Sequence, residues 1–170
     1  MTAARQQRKS PPALRPVFWL ALGLAVCGGI FSAPAILAAP GERIVVNDDT
    51  GVAISGFDPV AYFTDGGPTF GRADLELSRG GVVWRFCNEG NRAAFIEHSD
   101  VYMPRFGGYD PVAVARGASV PGHPMFWAVV GGRLYLFYSD KARAAFIADP
   151  GRIIETAERK WPKVARTIGR

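Results

Sequence analysis

The apolar positions divide the chain into a leader, a patterned body and a tail. Residues 17–31, VFWLALGLAVCGGIF, form an unbroken apolar run. Beyond residue 40 the apolar runs are short, and Gly, Pro and Asp punctuate them. VVWRF (82–86) and RLYLFY (133–138) carry the β-branched and aromatic residues that strands favour. Each follows a Gly-Gly pair (80–81 and 131–132), which supplies the positive φ angles of a tight hairpin turn. Asn88 and Ser139 are good N-caps for helices over NEGNRAAFIEH and SDKARAAFIADP. Ala94, Phe95 and Ile96, and likewise Ala145, Phe146 and Ile147, give each helix an apolar side. His98 is expected to end the first helix and Pro150-Gly151 to stop the second. In the tail, Ile153, Ile154, Ala157, Trp161, Val164 and Ile168 recur near helical spacing, interrupted by Pro162. That pattern predicts a basic C-terminal helix over 152–170, with Trp161 packed on the domain. The other use of its cations would be an anionic membrane surface or an acidic partner.

The second pattern is self-similarity. GGVVWRFCNEGNRAAFI (80–96) and GGRLYLFYSDKARAAFI (131–147) are identical at eight of 17 positions at an offset of 51. Upstream, GFDPVAYF (56–63) matches GYDPVAVA (108–115) at an offset of 52. Each unit reads as an Asp-Pro-Val turn, a strand, a Gly-Gly turn, a strand and a short helix. Asp58 and Asp110 can cap the turn that follows, with Pro59 and Pro111 at the first helical position, where no N–H is missed. Units this small cannot each bury a core. The expectation is one α+β domain over 40–151, with hairpin-plus-helix halves at about 56–100 and 108–150 packed about a pseudo-twofold axis.

Charge and cysteine content then narrow the function. The first 39 residues hold four basic residues and no acid; the rest hold 16 basic and 15 acidic. The +5 of the whole chain therefore sits mostly in the leader, and the body lacks the concentrated basic face of a nucleic-acid binder. A basic stretch, an apolar run and small residues are the order of a secretory signal over 1–39, with Ala33-Pro34-Ala35 as an A-x-A cleavage site. The competing reading is an uncleaved anchor, since residues 17–39 are long enough to span a bilayer. Lipidation at Cys27 is a third, although Val26 is bulky for such a site. All three place the body outside the cytoplasm, either periplasmic or anchored in the inner membrane and facing the periplasm. Cys87 is the one cysteine of the body, too few for an internal disulfide or a zinc site of its own.

Taken together, GVAISGFDPVAYFTDG, WRFCNEGNRAAF, YMPRFGGY (102–109), GGRLYLFYS and KWPKV resemble the YHS-domain family in its longer, exported bacterial form, over about residues 51–164. The resemblance implies a binding scaffold. Short members resemble metal-binding modules whose DPVCGM and FC-x-x-C blocks supply the proposed cysteine ligands. Here Ala61 stands at the first cysteine position and Cys87 matches the second. The remaining one falls at Gly90 or Asn91, and Asp110 stands where the longer form often carries a cysteine after GGY. In the repeat copy, Ala113 and Tyr138 occupy the corresponding places.

The candidate chemistry follows from both readings. Cys87, before a helix N-cap, is either a thiol of lowered pKa or a small apolar side chain at a strand end. His98 suits a helix C-terminus. His123, in VPGHPMFW, sits in a Pro/Gly loop and could ligate a metal. A mixed Cys87, His123 and Asp110 site is chemically permitted for zinc or copper. Asp58 and Asp110 are either a carboxylate pair or two capping residues in equivalent turns. The aromatic set, Tyr62 included, reads mainly as core. Tyr109 is the exception, because Gly107-Gly108 beside it allows close backbone approach and marks a candidate rim. Asp58, Tyr62, Tyr109 and Asp110 are thus the ligand-binding candidates. No nucleophile–base motif, P-loop or dinucleotide fingerprint is present. The leading expectation is an exported, non-catalytic module holding a small ligand or metal ion at the junction of its repeats. The alternatives are a membrane-tethered structural or interaction protein, and a thiol-dependent enzyme using Cys87.

Overall fold

The computed structural model describes residues 43–47 and 49–168. The signal, anchor and lipidation readings of residues 1–39 lie outside the described residues. Among those described, no helix is long and apolar enough to cross a membrane.

The architecture is α+β. After a 3-10 turn (Ile54–Gly56) come α1 (Ala61–Thr64), the hairpin β1 (Arg72–Arg79) and β2 (Val82–Phe86), and α2 (Glu89–Tyr102). A second 3-10 turn (Arg105–Gly108) leads to α3 (Pro111–Arg116), the hairpin β3 (His123–Val130) and β4 (Arg133–Phe137), α4 (Asp140–Ala148) and α5 (Pro150–Ala165). Both hairpins are antiparallel and turn on the Gly-Gly pairs, each glycine at positive φ. Each ladder also shifts register at the same place, between Arg72 and Glu76 in one and between His123 and Trp127 in the other.

The local hydrogen bonding of the two sequence copies is closely alike. Gly71 N–H donates to Gly56 C=O at 2.9 Å, and Gly122 N–H donates to Gly108 C=O at 2.9 Å. Asp58 N–H donates to Thr69 C=O at 2.8 Å, and Asp110 N–H to Val120 C=O at 2.9 Å. The Phe95 ring lies tilted against Phe86 at 5.2 Å and 55°, and the Phe146 ring against Phe137 at 5.1 Å and 55°. The turns before the two aspartates also match. Ile54, Ser55 and Gly56, like Phe106, Gly107 and Gly108, are three successive residues at positive φ. For a β-branched residue such as Ile54 that is a strained conformation, held by its buried surroundings.

Two clusters form the core. Trp84, Phe86 and Phe95 are fully buried in the first, and Tyr135, Phe137 and Phe146 are buried in the second. Each such side chain contributes about 1.5–3 kcal/mol by leaving water. β4 serves both clusters: Leu134 and Leu136 point into the first, Tyr135 and Phe137 into the second. That explains why LYLF is apolar without alternation, as strands buried on two faces are. β2 alternates instead, and its Arg85 pairs with Glu76 at 2.9 Å beyond the core. Residues 44–45 lie between the clusters. Ile44 belongs to the first and Val45 packs on the second, while Val45 N–H donates to Gly107 C=O at 2.7 Å. The place expected to hold a ligand, where the copies meet, is thus packed with Ile44, Ile54, Leu134 and Leu136.

Three boundaries differ from expectation. α2 does not end at His98; the backbone breaks there (φ −131°, ψ 46°) and the helix resumes to Tyr102, whose ring meets Phe63 edge-on at 5.3 Å. Pro150 begins a helix, because Asp149 accepts a hydrogen bond from Arg152 N–H and proline is at home in the first turn. The C-terminal helix therefore starts at Pro150. It also runs through Pro162, with Trp161 set against Phe106 at 5.7 Å and Tyr109 at 5.9 Å.

Candidate functional site

Asp58 is fully buried, and the fold surrounds its carboxylate with donors. Oδ1 accepts from the N–H groups of Val60 (2.8 Å) and Ala61 (3.4 Å), which is the turn-capping role. Oδ2 accepts from Cys87 N–H (2.9 Å) and Asn91 Nδ2 (2.8 Å), tying the turn to the end of β2 and the first turn of α2. The first copy's carboxylate is thereby satisfied from within the chain, and it presents no open acceptor.

Cys87 lies against this group. Its Sγ accepts from the side-chain amides of Asn88 and Asn91, each at 3.3 Å. Burial first, then the hydrogen bond and negative charge of Asp58, push the thiol up to about 11. Of the two readings open to Cys87, a thiol of lowered pKa and a small apolar side chain at a strand end, the first is not what this setting produces. Burial, with the Asp58 carboxylate adding to it, raises the thiol, which stays protonated near neutral pH. The same burial, with Asp58 adding to it, raises the Tyr62 phenol well above its usual range. Tyr62 O–H donates to Pro124 C=O at 3.1 Å and is buried, so it is a core strut between copies.

Asp110 repeats the arrangement with one donor fewer. Oδ1 accepts from Val112 N–H (2.8 Å) and Ala113 N–H (3.4 Å), and Oδ2 accepts from Tyr138 N–H (3.1 Å). At an offset of 51 the residue matching Asn91 is Ala142, which has no amide to offer. In its place lies a groove of about 390 Å³, lined by Asp110, Ala113, Arg116, Tyr138, Lys141 and Ala142 among others. Asp110 is 2% exposed and Tyr138 is 65% exposed, so the carboxylate lies at the floor and the phenol at the rim. Arg116 and Lys141 form no ion pair among the described residues.

The remaining candidates are placed elsewhere. His123 opens β3 on the exposed surface, with Nδ1 accepting from Met125 N–H at 3.2 Å and the ring against Phe126. The set Cys87, His123 and Asp110 does not converge: among the described residues no three His, Cys, Asp or Glu side chains are grouped to hold a metal ion. His123 opens β3 at the surface, Cys87 lies beside Asp58 and Asp110 serves the turn of the other copy, so the three expected zinc or copper donors are not grouped. Asp58 and Asp110 each serve their own turn and do not act as a carboxylate pair. Tyr109 is buried under Trp161 and is not a rim. The close approach expected at Gly107 does occur, but toward the chain's own Arg43 carbonyl.

Of the four ligand-binding candidates, only Asp110 lines the groove. Tyr138, Lys141, Ala142 and Arg116 were not singled out as ligand contacts. The one signal for them lay in the repeat itself, where Asn91 is matched by Ala142 and a side chain is lost beside a retained aspartate. No family model, no curated protein and no solved structure matches this chain.

Proposed function

We propose that the chain is an exported, non-catalytic binding module of YHS-like build, its two copies related by a pseudo-twofold axis, and that it holds a small organic ligand in the groove over Asp110. The observation that carries this reading is the difference between the copies. The same turn, strand end and helix start are filled by Asn91 in the first copy and left as a groove of about 390 Å³ in the second. Pockets that accept small molecules combine apolar walls with a few convergent polar groups. Here Val112, Ala113, Ala142 and Ala145 provide the walls, and Asp110, Ser139, Arg116 and Lys141 the polar groups. A thiol held up to about 11 supports binding over nucleophilic chemistry.

The test is a protein-observed NMR screen of a small-molecule collection against the full chain. Compounds that shift the amides of Ala113, Tyr138 and Ala142, and lose binding in Ala145→Phe, support the reading. A screen whose compounds all bind elsewhere overturns it. N-terminal sequencing of the exported protein tests its leader: a start near Ile36 supports cleavage, and an intact leader supports tethering.

A further inference from the structure

We infer that the groove selects a neutral hydrogen-bond donor, a primary amide or a hydroxyl, placed on Asp110 Oδ2, with an anionic group toward Arg116 and Lys141. The inference rests on the groove being the binding site and adds the chemistry of what fills it. The first copy displays the missing interaction within the chain itself. There a carboxamide Nδ2 sits 2.8 Å from Asp58 Oδ2, beside the backbone N–H that the same oxygen accepts. Asp110 keeps the backbone donors and lacks the carboxamide. It is 2% exposed, so bulk water reaches it poorly, and a carboxylate oxygen holding one donor still has capacity for another. A ligand donor bound there completes a charge-assisted hydrogen bond in a sheltered place, where such bonds are strong.

The charge of the ligand follows from the rest of the lining. An ammonium would also satisfy Asp110, but Arg116 and Lys141 line the same groove and form no ion pair among the described residues, and like charges disfavour it. A neutral donor avoids that repulsion, and an anionic end gains from both cations. The same lining includes the apolar side chains of Val112, Ala113, Ala142 and Ala145, which suit a short hydrocarbon link.

Two isosteric probes separate the claims. Succinamate carries a carboxamide and a carboxylate joined by two methylenes; levulinate has the same shape with CH3 in place of NH2. Each is titrated into the full chain and followed by the backbone amides of Tyr138 and Ala113. Succinamate is expected to bind in the millimolar range typical of so few heavy atoms, and levulinate roughly 10- to 100-fold more weakly. Ala142→Asn should return the first copy's carboxamide to the second and abolish succinamate binding, with thermal stability kept or raised as evidence that it folds. Equal binding of both probes in the groove would leave the site standing and overturn the donor requirement. Binding of succinamate undiminished in a folded Ala142→Asn protein would also overturn it. Binding of neither probe would remove the donor inference while fragments binding in the screen above would still mark the groove as a site.

Discussion

Replacing each buried aspartate by asparagine weighs the two copies against each other. In Asp58→Asn the carboxamide oxygen can keep the N–H groups of Val60 and Ala61, so its NH2 then faces Cys87 N–H and Asn91 Nδ2, two donors at 2.9 and 2.8 Å. Each buried donor left without an acceptor costs about 1–3 kcal/mol, giving roughly 2–6 kcal/mol for the pair. In Asp110→Asn the same placement strands Tyr138 N–H alone, at about 1–3 kcal/mol. Both variants remove one buried charge, so that contribution is common and the difference reports the extra donor. Urea unfolding of the full chain, with the slopes checked for constancy, should show Asp58→Asn losing about 1–3 kcal/mol more stability than Asp110→Asn. Equal losses would refute the claim that Asp110 lacks the partner Asp58 has.

Other outcomes follow from single contacts. Alkylation of Cys87 by iodoacetamide should be slow at pH 8 and rise toward a midpoint near 11, while an unfolded control titrates near 9. Because the folded thiol ionises later, the unfolded state sheds its proton first, and the thiol's contribution should lower folding stability as pH climbs from 9 to 11. Tyr62→Phe should cost about 0.5–1.5 kcal/mol by denaturant titration, through loss of the hydrogen bond to Pro124. Leu136→Ala should cost about 2–5 kcal/mol, since it leaves a cavity against Trp84 and Phe86. Gly107→Ala places a methyl on the Arg43 carbonyl oxygen, and limited proteolysis should then cut more readily around residues 43–47.

Much of the local structure was legible because short-range chemistry decides it. The Gly-Gly hairpins, the Asn88 and Ser139 caps and the Asp-Pro-Val turns all depend on residues within four positions of one another. The α+β class followed from them. What escaped was set by contacts distant in sequence. Nothing local to Ile54 or Ser55 favours positive φ; their turn is held by the burial of Ile54 and Gly56 on either side of the exposed Ser55 and by the bond from Ile54 N–H to Val45 C=O. The Gly107-Gly108 pair was read as the rim of a binding site; at Gly107 the group that comes close is the Arg43 carbonyl, far upstream in the chain and carrying no signature. Pro162 has no N–H to contribute to its helix, yet the packing of Trp161 on the second cluster and the burial of Val164 outweigh that loss. For the site, Asp110 was visible as a polar residue before proline. The repeat alignment of Asn91 with Ala142 hints at its unmet bond, but that Asn91 reaches Asp58 at all is set by the fold.

The double duty of β4 has a consequence for any attempt to divide the molecule. A cut near Met103 would release a first fragment whose Trp84, Phe86 and Phe95 have lost the cover of Leu134 and Leu136, and a second whose strand offers those leucines to water. Neither piece would be expected to persist folded alone. Mixed together, they would reunite as two different subunits do, more completely the higher their concentration, turning one chain into a split pair whose recovery can be dialled by dilution.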